Sequence, residues 1–320
     1  MQQARDIVAT EFEAVNQLII DHLHSRIPLV GSIGHYIVDA GGKRLRPLLA
    51  LLCGGINGNI GQQHIAFAAS IEFIHTATLL HDDVVDISSL RRGRPTANAE
   101  WGNAPSVLVG DFLYTRAFQL LVSLGKQKVM ELMANTTNII AEGEVLQLTK
   151  AGDPSTSEAD YFDVIKSKTA VLFAAACAGS GELSELDQAS ISKLYDYGLN
   201  LGIAFQLIDD VLDYEGDPET MGKNVGDDLA EGKPTLPLIH VMKQGSSEQQ
   251  ALVSNAIKEK NSSELNAIFA AIQDCDALNY TRLAAIKHQQ LATAAISDFA
   301  PSAYKDTLLR LAELSVNRHS

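Results

Sequence analysis

Apolar residues recur three and four positions apart through most of the chain, as at Ile65, Ala69, Ile71, Ile74, Thr78 and Leu79, and period-two alternation is scarce. Such spacing suits a helix that buries one face and gives a strand no consistent side. The expected fold is therefore all-α. Gly, Pro and charged residues gather at Gly54 to Gly61, Ser88 to Trp101, Ala151 to Thr156 and Glu215 to Thr235. Between these breaks the pattern predicts helices near 4–24, 62–87, 105–124, 126–150, 157–180 and 184–215, with shorter ones after 234. No shift in composition marks a boundary, so the reading is a single domain over residues 1–320. Some of the breaks are long for simple connections, and long loops in a compact domain are more often functional than accidental.

Net charge is −14, which argues against a nucleic-acid partner because phosphates need a broad basic surface. Any anionic ligand has to be met locally. The amino-terminal residues show no charged start followed by an apolar run, so no secretory signal is expected. The longest apolar stretches, such as Ala170 to Ala178, fall short of the roughly 20 residues a bilayer span needs. Cys53, Cys177 and Cys275 are an odd, widely spaced set without metal-ligand spacing, which fits reduced thiols in a cytoplasmic protein.

Two segments resemble each other: Leu79-Leu80-His81-Asp82-Asp83-Val84-Val85-Asp86 and Gln206-Leu207-Ile208-Asp209-Asp210-Val211-Leu212-Asp213. Residues four apart stack on one helix face, so Asp82 with Asp86, and Asp209 with Asp213, form two small carboxylate claws. Each lies at the carboxyl end of an apolar helix, where the macrodipole disfavours negative charge, and a rule broken twice in the same way suggests function. Oxygen donors without Cys or His spacing suit Mg²⁺, which takes one or two carboxylates and fills its shell with water and phosphate oxygens. The blander alternative for either motif alone is a solvated polar helix end.

Basic residues are scarce, yet they cluster at Gly42-Lys43-Arg44-Leu45-Arg46-Pro47 and at Arg91-Arg92-Gly93-Arg94-Pro95. Guanidinium forks bind phosphate oxygens in pairs and lysine acts as a point charge, so these clusters fit a second diphosphate held without metal, against the alternative of ordinary surface charge. His75 precedes Asp82 by two turns, roughly 10 Å along the axis, and is either a contact of that ligand or a core histidine. Lys168, Thr169, Gln206, Lys223 and Lys233 are candidates for the shell of the metal-bound diphosphate, each weak by itself.

In their order and spacing, Gly42-Lys43-Arg44-Leu45-Arg46-Pro47, the first aspartate motif with Arg91-Arg92-Gly93, Lys168-Thr169 and Phe205-Gln206 before the second motif resemble the trans-isoprenyl diphosphate synthase family, the polyprenyl synthetases, across nearly the whole chain. Gly34-His35-Tyr36-Ile37-Val38, Phe73 to Leu80 and the run from Gly222 to Leu229 are similar to its long-chain bacterial members. The resemblance implies a helical bundle of the isoprenoid synthase type around a deep central cavity, a homodimer, and two aspartate motifs facing one another at the cavity mouth. It implies that Lys43, Arg46, His75 and Arg92 bind isopentenyl diphosphate. Asp82, Asp86 and Asp209 would bind Mg²⁺ with Asp83, Asp210 and Asp213 in support, and Arg91, Lys168, Thr169, Gln206, Lys223 and Lys233 would hold an allylic diphosphate such as farnesyl diphosphate. The small Ala77 and Thr78, about one turn below Asp82, imply passage to a long product where bulky aromatic residues stop growth early.

The implied reaction ionises the allylic diphosphate, and the double bond of isopentenyl diphosphate attacks the cation. A class I terpene cyclase shares the ionisation but has no use for the second anion site. A metal-dependent phosphohydrolase centred on His81-Asp82, with His64 or His75, leaves the second motif unexplained, and a non-catalytic partner subunit is expected to have lost motif aspartates. A quinone side chain is the destination that the resemblance implies, and a very apolar product of that kind would bring transient membrane contact at release.

Overall fold

The computed structural model describes residues 2–215 and 226–318. Helices dominate, and the strands among the described residues are the two-residue pair Leu90–Arg91 and Arg94–Pro95. The first eleven helices are α1 Gln2–Asp6, α2 Ala9–His22, α3 Pro28–Asp39, α4 Leu45–Gly55, α5 Gln62–Val85, α6 Ala97–Trp101, α7 Asn103–Ser123, α8 Gln127–Lys150, α9 Glu158–Ile165, α10 Val171–Leu183 and α11 Gln188–Glu215. Helical segments Asp227–Ala230, Leu236–Gln244, Ser247–Glu259, Leu265–Asp274, Ala277–Ala295 and Ala303–Val316 follow.

The periodic segments become helices within a few residues of their expected bounds, with informative exceptions. The helix expected over 4–24 is two, because a turn at Ile7–Val8 swings Val8 fully into the core. The residues between the helices expected over 4–24 and 62–87 supply two more, α3 and α4. Pro28 stands in the first turn of α3, where no helical N–H is needed, and Gly41 and Gly42 (φ 76° and 149°) make the break before α4. The helix expected over 157–180 opens on a capping box between Ser157 and Asp160 and is interrupted by a π turn at Lys166–Ala170.

The chain forms two compact units. Unit 1 contains the residues up to Asn135 with Phe173–Tyr195 and Ile296–Leu311. Its centre is α4, where Leu48 to Cys53 are all fully buried, together with α5, which buries Phe67, Ile71 and Phe73. A helix apolar on every side belongs inside a bundle. Gly179 on α10 lets the Phe67 ring in: a Cβ there would stand 2.2 Å from Phe67 Cζ. Unit 2 contains Thr136–Leu172, Asp196–Ala295 and the residues from Ala312 onward. Here Ile203, Leu207, Ile208 and Leu212 of α11 pack on Tyr161 and Ile165 of α9 and on Leu236 and Ile239, while Asp209 on the same helix remains partly exposed. No helix of the described residues is long and apolar enough to cross a membrane.

Candidate active site

In unit 1 the first aspartate motif closes α5. Asp82 and Asp86 are half-buried, and Asp86 N–H donates to the Asp82 carbonyl at 2.8 Å as the helix ends. Between them Asp83 is fully buried and receives the Arg91 guanidinium as a fork, Nε to Oδ1 at 2.9 Å and Nη2 to Oδ1 at 2.6 Å. Arg91 lies on the hairpin Leu90–Arg91/Arg94–Pro95, whose turn residues Arg92 and Gly93 both have positive φ (53° and 72°), the type I′ geometry that suits a two-residue turn. Asn98 Nδ2 donates to the Asp83 carbonyl at 3.1 Å and Thr96 Oγ1 to the Ser88 carbonyl at 2.7 Å. The middle aspartate thus fastens the basic loop to the helix end.

Arg92, at the hairpin tip, lies against Gly42, where a Cβ would meet its Nη1 and Nη2 at 2.8 Å. The loop carrying Lys43 is tied down by Arg5, which donates to the Lys43 carbonyl at 2.9 Å, and by Arg44, paired through its side chain with Asn16. Arg46 stacks on Phe173 at 4.4 Å and lies 3.3 Å from His75 Nε2. Burial, and then Arg46, Arg92 and Arg91, push the His75 pKa well below its ordinary range, so the ring is neutral at pH 7 and Nε2 can accept from Arg46. Glu72, one turn earlier on α5, has its carboxylate among the same guanidinium groups: burial raises its pKa while Arg44, Arg46 and Arg92 lower it. Arg46 and Arg92, with His75 and Glu72 among them, therefore form one cationic cluster in the unit that carries Asp82, and Lys43 follows Gly42, against which Arg92 lies. Below that motif Ala77 is buried and Thr78 donates its hydroxyl to the His75 carbonyl at 2.8 Å.

In unit 2 the second motif keeps a buried middle residue but, unlike the claw its spacing predicts, leaves Asp209 and not Asp213 partly exposed. Asp209 is partly exposed, and Asp210 and Asp213 are buried. The middle residue, Asp210, accepts from Tyr161 Oη at 2.5 Å and from Gln206 Nε2 at 2.9 Å. Burial and the nearby Asp228 carboxylate push its pKa up to about 8, against the pull of those two donors. Thr169 Oγ1 donates to Gln206 Oε1 at 3.0 Å, and Lys168 Nζ pairs with Glu144 Oε2 at 2.6 Å. Lys168 and Thr169 both fall in the π turn, a distortion frequent at functional sites. It is accommodated by Gly143, where a Cβ would stand 2.6 Å from that of Ser167. Lys233 is ion-paired with Glu231 and donates its backbone N–H to the Asp228 carbonyl at 2.8 Å. Lys223 lies outside the described residues.

Among the described residues, no group of three His, Cys, Asp or Glu side chains converges as an ion cage. Carboxylates come as partly exposed pairs or singly, the donor set of a hard cation whose shell is completed by water and phosphate oxygens. Several participants escaped the sequence reading: Glu72, Glu144, Tyr161, Asp228 and Arg318, which pairs with Asp209 at 2.5 Å. Two of these left a signal: Glu72 is an acidic residue one turn before His75 among buried apolar neighbours, and Asp228 lies in the acidic pair of the Gly222–Leu229 run.

A mainly helical chain with two aspartate motifs and a separate cluster of guanidinium groups suits an enzyme that handles prenyl diphosphates, and the comparisons with known proteins make the class definite. Residues 27–274 match the polyprenyl synthetase family. The chain is 49% identical to the octaprenyl diphosphate synthase of Escherichia coli, with 99% of each chain covered, and 44% identical to an all-trans-nonaprenyl-diphosphate synthase of Rhodobacter capsulatus, covering 97% of this chain and 96% of the relative. Among solved structures it superposes with a TM-score of 0.96 on a Caulobacter crescentus polyprenyl synthase complexed with calcium and isoprenyl diphosphate, at 41% identity over 100% of this chain and 98% of that one. The chain belongs to the polyprenyl synthetase family. It is a prenyltransferase of the kind that condenses isopentenyl diphosphate onto an allylic diphosphate, and these relatives support neither the cyclase nor the phosphohydrolase reading.

Proposed function

We propose that the protein is a long-chain trans-polyprenyl diphosphate synthase making octaprenyl diphosphate from farnesyl diphosphate and isopentenyl diphosphate for a quinone side chain. The relatives named octaprenyl diphosphate synthase support the product, and the observation that carries the reaction type is the cationic cluster of Arg46, His75 and Arg92 in the unit that carries Asp82 and Asp86. An enzyme that only ionises one diphosphate needs one anion site; a condensing enzyme needs a second, free of metal.

In this reading Asp82, Asp86 and Asp209 hold Mg²⁺, which when bound neutralises charge gathering on the leaving diphosphate. Lys43, Arg46 and Arg92 hold the isopentenyl diphosphate, and neutral His75 accepts from Arg46 instead of adding a further buried charge. Arg91, Lys168, Thr169, Gln206, Lys223 and Lys233 attend the allylic diphosphate. Asp83 and Asp210 serve by positioning, the first through Arg91 and the second through Gln206 and Tyr161. The small Ala77 and half-buried Thr78 leave the tail room to extend into an apolar cavity that keeps water from the cation.

A single polyprenyl synthase domain is part of the proposal, supported by a family match that runs through both compact units. So is a homodimer, which the family resemblance implies and which would bury exposed apolar side chains of α7 such as Leu108 (65% exposed) and Val122 (67% exposed). A cytoplasmic location fits three free thiols, and product release involves passing contact with a membrane surface. The test is incubation with farnesyl diphosphate and Mg²⁺, with and without labelled isopentenyl diphosphate. Long-chain products are expected only when it is present; hydrocarbon released without it would overturn the reading.

A further inference from the structure

Arg318 is the last described residue, beyond both the helix Ala303–Val316 and the 27–274 span that matches the family. Its guanidinium nevertheless enters the second aspartate motif. Nη2 donates to Asp209 Oδ1 at 2.5 Å and to the Phe205 carbonyl at 2.6 Å, and the guanidinium carbon lies 3.8 Å from the Phe205 ring centroid. The Arg318 side chain is only 12% exposed, whereas that of Asp209 is 42% exposed. Asp209 is thus covered on one side by a nearly buried cation and open to solvent on the other.

We infer that Arg318 is a built-in counter-cation that competes with metal for Asp209 and so sets the concentration at which the second motif fills. The inference rests on the proposed metal-binding role of Asp209. A divalent ion joining that carboxylate has to share it with a positive charge already bonded to Oδ1, and two cations on one carboxylate repel. A weakly hydrated guanidinium stacked on an aromatic ring is a stable occupant, which holds the open carboxylate in place while no metal is bound. Its departure gives up the bonds to Asp209 and the Phe205 carbonyl and the ring contact, but unwinds no helix. Arg318 sits two residues past the helix, and among the described residues Asn317 ties that tail back through Nδ2 to the Glu313 carbonyl at 3.0 Å.

The test is Mn²⁺ binding by the full-length protein without any diphosphate, followed by the electron paramagnetic resonance of free Mn²⁺. Arg318→Gln is expected to lower the half-saturating concentration roughly two- to fivefold, the range open to a partly exposed ion pair. Arg318→Lys, which keeps the charge but not the fork or the stack, should fall between wild type and the glutamine variant, and it carries the test if the latter does not fold. In an Asp209→Asn background the Arg318 substitutions should change nothing. Unchanged or weaker Mn²⁺ binding in Arg318→Gln overturns the inference, as does an equal gain in the Asp209→Asn background. Asp209→Asn alone tests the underlying reading, since binding like the wild type there removes Asp209 from the metal site.

Discussion

The two aspartate motifs have the same residue pattern, yet their buried middle carboxylates rest on different chemistry. Asp83 lies against a full positive charge, the forked Arg91 guanidinium. Asp210 has two neutral donors, Tyr161 and Gln206, while burial, and then the nearby Asp228 carboxylate, push its pKa up. The first arrangement locks a basic loop onto a helix end, so the motif and part of the anion site are built as one piece. The second leaves the motif short of positive charge, and Arg318 approaches its exposed member from the far end of the chain. One local sequence therefore yields one self-compensated motif and one that calls for a cation from outside.

Breaking the first motif should do the most damage to the fold. Asp83→Ala strands Arg91 beside an empty buried site and is expected to cost about 3–5 kcal/mol in denaturant unfolding, the cost of breaking a buried charge pair. A loss no larger than that of a surface substitution would make the pair incidental. Tyr161→Phe removes one donor from Asp210 and should cost less, about 1–3 kcal/mol. If the two variants were equally unstable, the contrast between charged and neutral support would fail.

In the unit that carries the first motif, Ala77→Phe should shorten the product series while leaving at least a tenth of the incorporation rate, read by chromatographic sizing. Unchanged product length would clear Ala77 of any gating role. The smallest expected effect concerns His75. Its folded pKa is depressed, so the unfolded chain binds more protons below about pH 6.5, and stability present above that value is lost on acidification. Between pH 6.5 and 5.5 the wild type should lose about 1 kcal/mol that His75→Gln retains. Parallel pH profiles would show that the ring is not held neutral.

The sequence made the helices legible because a 3.6-residue repeat of apolar side chains records burial directly. It made the claws legible too, because four-residue spacing fixes a shared face whatever the surroundings. It set the outer aspartates apart from the middle ones by face, but not what the middle ones do: that Asp83 fastens Arg91 emerges only when the hairpin folds back onto it. Tyr161 and Arg318 were invisible for the same reason, as both reach the second motif by tertiary contact alone, Arg318 from 109 positions away. The helices α3 and α4 were hidden by Gly34, Gly41, Gly42 and Pro47, residues that punctuate a chain locally but are tolerated here at helix starts, breaks and close contacts.

The most direct test compares wild type with Asp82→Ala in farnesyl diphosphate, labelled isopentenyl diphosphate and Mg²⁺, with incorporation measured per enzyme after both proteins are shown to be folded. The account predicts long-chain product from the wild type and a loss of roughly a thousandfold or more in the variant, the scale of removing a principal stabiliser of leaving-group charge. Incorporation by Asp82→Ala at the wild-type rate would contradict it.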